Sequence, residues 1–69
     1  MKKILISGAT GLVGKRLSKK LFERGYNVEI LVRSKKQNAD FKSYIWDYEN
    51  GFLEDGALEG TFIFIHLAG

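Results

Sequence analysis

Three glycines at a fixed interval, Gly8-x-x-Gly11-x-x-Gly14, stand between an apolar run and a stretch patterned as a helix. No other feature restricts the fold of this chain as tightly. Residues 3–7 (Lys-Ile-Leu-Ile-Ser) are short, apolar and rich in β-branched side chains, the pattern of a strand buried on both faces. Val13, Leu17 and Leu21 then recur every four residues, with Phe22 beside them and charges elsewhere through Lys15–Arg24. That spacing predicts an amphipathic helix, stopped by Gly25 in the C′ position. A Cβ at the turn glycines would obstruct either the backbone angles or the approach of a ligand, and a Cβ at Gly14 would push the helix off the strand. The N–H groups at such a helix start suit the pyrophosphate of a dinucleotide. The competing reading is a tight strand-to-helix turn that binds nothing. With 8 glycines among 69 residues the spacing alone is weak, and the flanking strand and helix carry most of its weight.

The remainder of the chain continues the same alternation. Residues 27–33 (Asn-Val-Glu-Ile-Leu-Val-Arg) read as a second strand, and Lys42–Trp46 as a third, followed by a turn at Asp47–Gly51. Ser34–Phe41 is polar and weakly periodic, a loop or a frayed short helix. Asp55–Glu59 predicts one or two helical turns, with Asp55 as N-cap and Gly60 at the end. Thr61–Leu67 (Thr-Phe-Ile-Phe-Ile-His-Leu) is the strongest strand signal of all. The order implies an α/β fold in which a parallel sheet of about four strands is joined by crossovers.

Several function classes fall away. A Walker-type phosphate loop needs glycine where Ala9 stands and a hydroxyl for Mg²⁺ where Arg16 stands. The net charge of +3 is modest, and the aromatics sit in apolar runs rather than along a basic face, which argues against nucleic acid. The run Ile4–Ile6 is too short for a signal peptide, and no stretch approaches the roughly 20 apolar residues of a membrane span. The chain has no Cys and a single His66, so thiolate and clustered metal sites are not expected. A cytoplasmic location is the expectation.

The segment Ile-Leu-Ile-Ser-Gly-Ala-Thr-Gly-Leu-Val-Gly at 4–14 resembles the N-terminal signature of the extended short-chain dehydrogenase/reductase superfamily. His66-Leu67-Ala68-Gly69 resembles that family's fourth-strand motif. Val-Arg-Ser at 32–34, Trp-Asp at 46–47 and Asn-Gly at 50–51 are similar to its nucleoside-diphosphate-sugar epimerase-like branch. The resemblance implies an N-terminal, incomplete NAD(P)-binding Rossmann domain over residues 1–69, with strand order 3-2-1-4 and crossover helices. It covers the first quarter or so of such a protein. It implies that Gly8, Thr10, Gly11, Leu12, Val13 and Gly14 hold the pyrophosphate. It further implies that Asp47 contacts the adenine amino group, and that Leu67, Ala68 and Gly69 line the adenosine side.

Cofactor choice is read from the end of the second strand. A NAD-preferring site would place an acid there for the ribose 2′-hydroxyl. This chain has Arg33, followed by Ser34, Lys35 and Lys36, donors that suit a 2′-phosphate. The reading leans to NADP, with NAD possible, against the alternative of a solvated charged turn. Asp47 has a second reading as a turn residue, and His66 borders the cofactor or is a hydrogen-bonded, half-buried side chain. Glu29, inside its strand, is poorly placed for the ribose, and Trp46, Phe62 and Phe64 are assigned to packing.

The family's chemistry uses a Tyr-x-x-x-Lys pair as acid–base catalyst. Tyr26 is followed four positions on by Ile30, Tyr44 by Tyr48, and Tyr48 by Phe52. The 69 residues should therefore bind the dinucleotide without turning over a small-molecule substrate. A non-catalytic NADP-binding sensor on the same fold is the other reading, and a pure interaction module a third. In isolation the uncharged strand Thr61–Leu67 would be an open sheet edge, and self-association through it is expected.

Overall fold

The computed structural model describes residues 2–9, 11–33 and 41–67. The chain runs β1 (Lys3–Ser7), α1 (Leu12–Glu23), β2 (Asn27–Val32), β3 (Lys42–Asp47), β4 (Phe52–Leu53) and β5 (Thr61–His66). All five strands form one sheet in the order β4-β3-β2-β1-β5. The four long strands are parallel and lie in the expected 3-2-1-4 order, with β5 as the fourth. The two-residue β4 adds a strand that the sequence pattern did not reveal, antiparallel to β3 through Trp46↔Leu53 and Asp47↔Phe52. The predicted loop or frayed helix at Ser34–Phe41 lies outside the described residues except for Phe41.

β1 is buried along its whole length because β2 and β5 flank it and a cluster of side chains covers each of its two faces. Alternation divides its side chains. Ile4 and Ile6 join Val28, Ile30 and Ala9 on one face, with Leu21, Tyr26, Phe41 and Ile65 packed around them. Leu5 joins Leu31, Tyr44 and Ala57 on the other, under Trp46 and Leu53. Each face thus supplies one small core.

α1 is the one helix among the described residues. It begins at Leu12, three residues earlier than its charge pattern indicates. Its buried residues are Gly14 and Ser18, whereas Leu17 and Leu21 are only partly buried and Val13 and Phe22 are exposed. The helix approaches the β1 turn so closely that small residues take the contact positions, and the apolar stripe sits to one side of them. Ser18 satisfies its buried hydroxyl by donating to the Gly14 carbonyl at 2.7 Å. The end is a Schellman motif: Tyr26 N–H donates to the Leu21 carbonyl and Gly25 N–H to that of Phe22, with Gly25 at φ 92°.

The predicted helical turns at Asp55–Glu59 do not form. Residues 54–60 make a succession of tight turns, closed by Ala57 N–H on the Glu54 carbonyl and Glu59 N–H on the Gly56 carbonyl. Gly56 and Gly60 take positive φ, which breaks any helix. The loop is shaped instead by a buried amine. Lys3 Nζ donates to the carbonyls of Ala57 and Glu59, each at 2.8 Å, and lies 3.3 Å from Glu29 Oε1. Glu29 accepts further bonds from Tyr44 Oη at 2.7 Å and Asn27 Nδ2 at 2.9 Å. An unpaired charge here would be costly, and the network joins β1, β2, β3 and the 54–60 loop.

Burial alone would raise the Glu29 pKa, but the bonds from Tyr44, Asn27 and Lys3 together outweigh it and hold the carboxyl below its ordinary 4.5. A folded-state pKa below the unfolded one contributes stability that is full above the unfolded value and is lost as pH falls through the folded value. Glu29→Gln should therefore lower stability at neutral pH by about 2 kcal/mol, and the deficit should shrink once the pH falls below 4.5. Denaturant titrations of both proteins across that range provide the measurement. A pH-independent difference would show that the Glu29 charge is not what matters.

Candidate dinucleotide site

The C-terminal ends of the parallel strands lie along one edge of the sheet, where ligands of open α/β sheets bind. Gly8 leaves β1 at φ 77°, and a Cβ there would lie 2.5 Å from the carbonyl oxygen of Leu67. Leu67 is fixed in turn by its N–H bond to the Ser7 carbonyl. The Gly8 turn therefore rests directly on the end of β5. Ser7 Oγ and His66 Nδ1 share a hydrogen bond across the same pair of strands. His66 is thus hydrogen-bonded, as its second reading has it, but exposed rather than half-buried, with Trp46 edge-on to its ring at 5.7 Å.

Gly14 and Gly11 play opposite parts. A Cβ on Gly14 would fall 2.6 Å from Ala9 Cα and closer still to the Gly8 carbonyl oxygen, so the first turn of α1 is pressed against backbone. Gly11 has an ordinary extended conformation (φ −74°, ψ 170°), and a Cβ there would meet only the Gly8 oxygen at 3.7 Å. Neither backbone nor packing calls for glycine at 11. Among the described residues nothing else lies within 4 Å of that position, and it lies at the N-terminus of a twelve-residue helix with no acidic residue in its first turn. Gly11 is the N-cap and offers no side-chain acceptor, and the first intrahelical bond is Lys15 N–H to the Gly11 carbonyl. The preceding N–H groups of the helix have no intrahelical acceptor by geometry. A backbone cradle that a Cβ would fill, facing the positive end of a helix dipole, fits an anionic pyrophosphate.

The structure brings Gly8, Gly11, Leu12, Val13, Gly14 and Leu67 into this one corner, with Leu12 and Val13 largely exposed beside it. Thr10, Ser34, Ala68 and Gly69 lie outside the described residues. Arg33 follows β2 at the same edge and is exposed, paired to Glu49. Asp47 ends β3, and both of its carboxylate oxygens accept from Asn50, from the backbone N–H at 3.3 Å and from Nδ2 at 2.7 Å. The Asn50 side-chain bond is the main reason its carboxyl titrates below the usual value, aided by backbone N–H groups and by the Arg33 charge. Asp47 thus closes the β3–β4 turn, the second reading given for it. Glu29 is far from this edge, bound to Lys3 at the opposite end of the strands.

Sequence reasoning passed over Glu49. Its signal was present, because the 3-2 strand adjacency sets the turn after the third strand beside the residue after the second. Trp46 packs as expected, against Tyr48, Phe64 and His66. Phe62 and Phe64, also assigned to packing, are about half exposed on the edge strand β5. Lys2 Nζ lies over the Phe62 ring at 4.2 Å.

The two glycines predict different failures. Gly14→Ala should destabilise the protein by about 3 kcal/mol or more, because the clash is with backbone that cannot rotate away. Gly11→Val should cost no more than about 1 kcal/mol in stability yet abolish dinucleotide binding. Thermal unfolding and calorimetric titration of the two variants separate these effects. Tight binding by a folded Gly11→Val protein would reduce the motif to a structural turn.

Comparison with known proteins gives the same answer. The model of the NAD dependent epimerase/dehydratase family matches residues 4–65. An epimerase family protein of Staphylococcus haemolyticus is 39% identical over 70 residues, covering 100% of this chain and 23% of its own. An uncharacterized oxidoreductase of Bacillus subtilis is 41% identical over 51 residues, covering 71% of this chain and 18% of its own. The chain thus spans about a fifth of the length of these curated relatives. No solved structure matches it. The strand–glycine turn–helix corner and a family match over nearly the whole chain agree: the protein belongs to the NAD dependent epimerase/dehydratase family.

Proposed function

We propose that this chain is the dinucleotide-binding portion of an epimerase-type oxidoreductase, with a nucleoside-diphosphate sugar or a related alcohol as the substrate of the whole protein. The observation that carries the reading is the cradle at Gly11, which the packing of the described residues does not explain. Residues 8–14 hold the pyrophosphate there. Arg33 and Ser34 meet the adenosine 2′-phosphate, Asp47 the adenine amino group, and Leu67–Gly69 the adenosine side. The nicotinamide ring, when bound, supplies or accepts the hydride. The residues of this chain fix its position and contribute no acid or base, since none of its tyrosines has lysine four positions on. A cytoplasmic location belongs to the same proposal. Among the described residues no helix is long and apolar enough to cross a membrane.

Preference for NADP rests on Arg33, which stands where an acid would repel a 2′-phosphate. The natural full-length protein should bind NADPH more tightly than NADH. Arg33→Asp should weaken or reverse this by removing a charge-assisted bond worth about 1.5–3 kcal/mol, or about 10- to 100-fold in affinity. Titration calorimetry with both cofactors tests it. Equal affinities in the wild type, unchanged in the variant, would sink the NADP assignment.

A polypeptide of residues 1–69 alone is proposed to self-associate through 61–67. Phe62, Ile63 and Phe64 are exposed on β5, which is the outermost strand on its side of the sheet. An uncharged apolar edge of this kind is a template for strand pairing. Light scattering should report dimers or larger species, and a dilution-stable monomer refutes the idea.

A further inference from the structure

Arg33 already has a partner. Its Nη2 lies 3.0 Å from Glu49 Oε1, with the two side chains 67% and 63% exposed. The guanidinium carbon stands 5.9 Å from the Tyr48 ring. The neighbourhood is set by strand pairing, since Val32 lies opposite Ile45 and the turn after β3 therefore falls beside the residue after β2. Asp47, on the same turn, is near enough for the Arg33 charge to act on its carboxyl. Glu49 thus binds the guanidinium, and Asp47 lies within reach of its charge.

A phosphate and a hydroxyl would meet this arrangement differently. A 2′-phosphate arrives with a charge of roughly −1.5 to −2, must share Arg33 with Glu49 or displace it, and in either case remains close to that carboxylate. A ribose 2′-hydroxyl carries no charge, and it can donate a hydrogen bond to a carboxylate while the Arg33–Glu49 pair stays closed. We propose that Glu49 is a specificity-determining residue, a counter-ion that competes with the 2′-phosphate for Arg33. It keeps the preference for NADPH below what the arginine alone would give and leaves NADH usable. The inference rests on the reading that Arg33 meets the 2′-phosphate.

The pair is solvent-exposed, so the effect is of the size of a surface ion pair. Releasing Arg33 by Glu49→Gln should tighten NADPH binding about two- to fivefold and leave NADH binding unchanged or slightly weaker. Because exposed charges are screened, the gain should shrink in high salt. It should also vanish when Arg33 is replaced. The experiment titrates NADPH and NADH into the natural full-length protein, Glu49→Gln, Arg33→Met and the double variant, at low and at high salt. A salt-sensitive gain for NADPH in Glu49→Gln that is absent from the Arg33→Met background supports the proposal. If Arg33→Met loses the NADPH preference while Glu49→Gln matches the wild type, the counter-ion role is overturned and the Arg33 reading survives. If Arg33→Met keeps the wild-type ratio, there is no 2′-phosphate contact at Arg33, and the proposal falls with it.

Discussion

The structure hangs on the absence of a side chain at Gly14. Because that residue presents only backbone, the first turn of α1 lies directly on Gly8 and Ala9, and helix and strand meet with almost nothing between them. The remaining arrangement of the corner follows from that approach. Ser18, one turn along, must be small and must satisfy its own hydroxyl within the helix. Gly8 must take a positive φ to redirect the chain over Leu67. The helix N-terminus then lies beside the sheet edge, so that the packing solution and the candidate anion site are one piece of geometry.

The two ends of the sheet are organised by different physics. At the C-terminal ends of the strands the polar groups are backbone N–H groups and exposed side chains, available to a ligand. At the opposite end a charge is buried and fully engaged: Lys3 is held by loop carbonyls and Glu29, and Glu29 by Tyr44 and Asn27. This network fixes residues 54–60, a segment with few apolar contacts of its own beyond Ala57. A buried ion pair of this kind adds little net stability but penalises any arrangement that leaves one member alone. Here it ties the β4–β5 connection to the start of β1.

The charges at the other end balance one another. Arg33 brings a guanidinium, while the turn that β3 carries alongside it brings carboxylates. The turn needs Asp47 for its own closure, because that side chain accepts both bonds from Asn50. The acidity next to Arg33 is therefore partly a consequence of how the chain reverses direction after β3.

The amino-acid sequence by itself determined the strand-and-helix alternation, the 3-2-1-4 order of the long strands and the glycine turn, because periodicity and glycine spacing are local properties. It also pointed to a family that the comparisons bear out. It misjudged the helix face, where the apolar stripe of Val13 and Phe22 is exposed and Gly14 and Ser18 take the contact. It anticipated a helix at Asp55–Glu59, where capping residues were present but Lys3, more than fifty positions away, claims the carbonyls. β4 was illegible because two residues carry no period. The Arg33–Glu49 pair, the Ser7–His66 bond and the Lys3–Glu29 network all join residues from different strands or loops. Only the tertiary structure decided these, because a hydrogen bond or ion pair depends on which strands lie side by side and in what register, and those are properties of the assembled sheet.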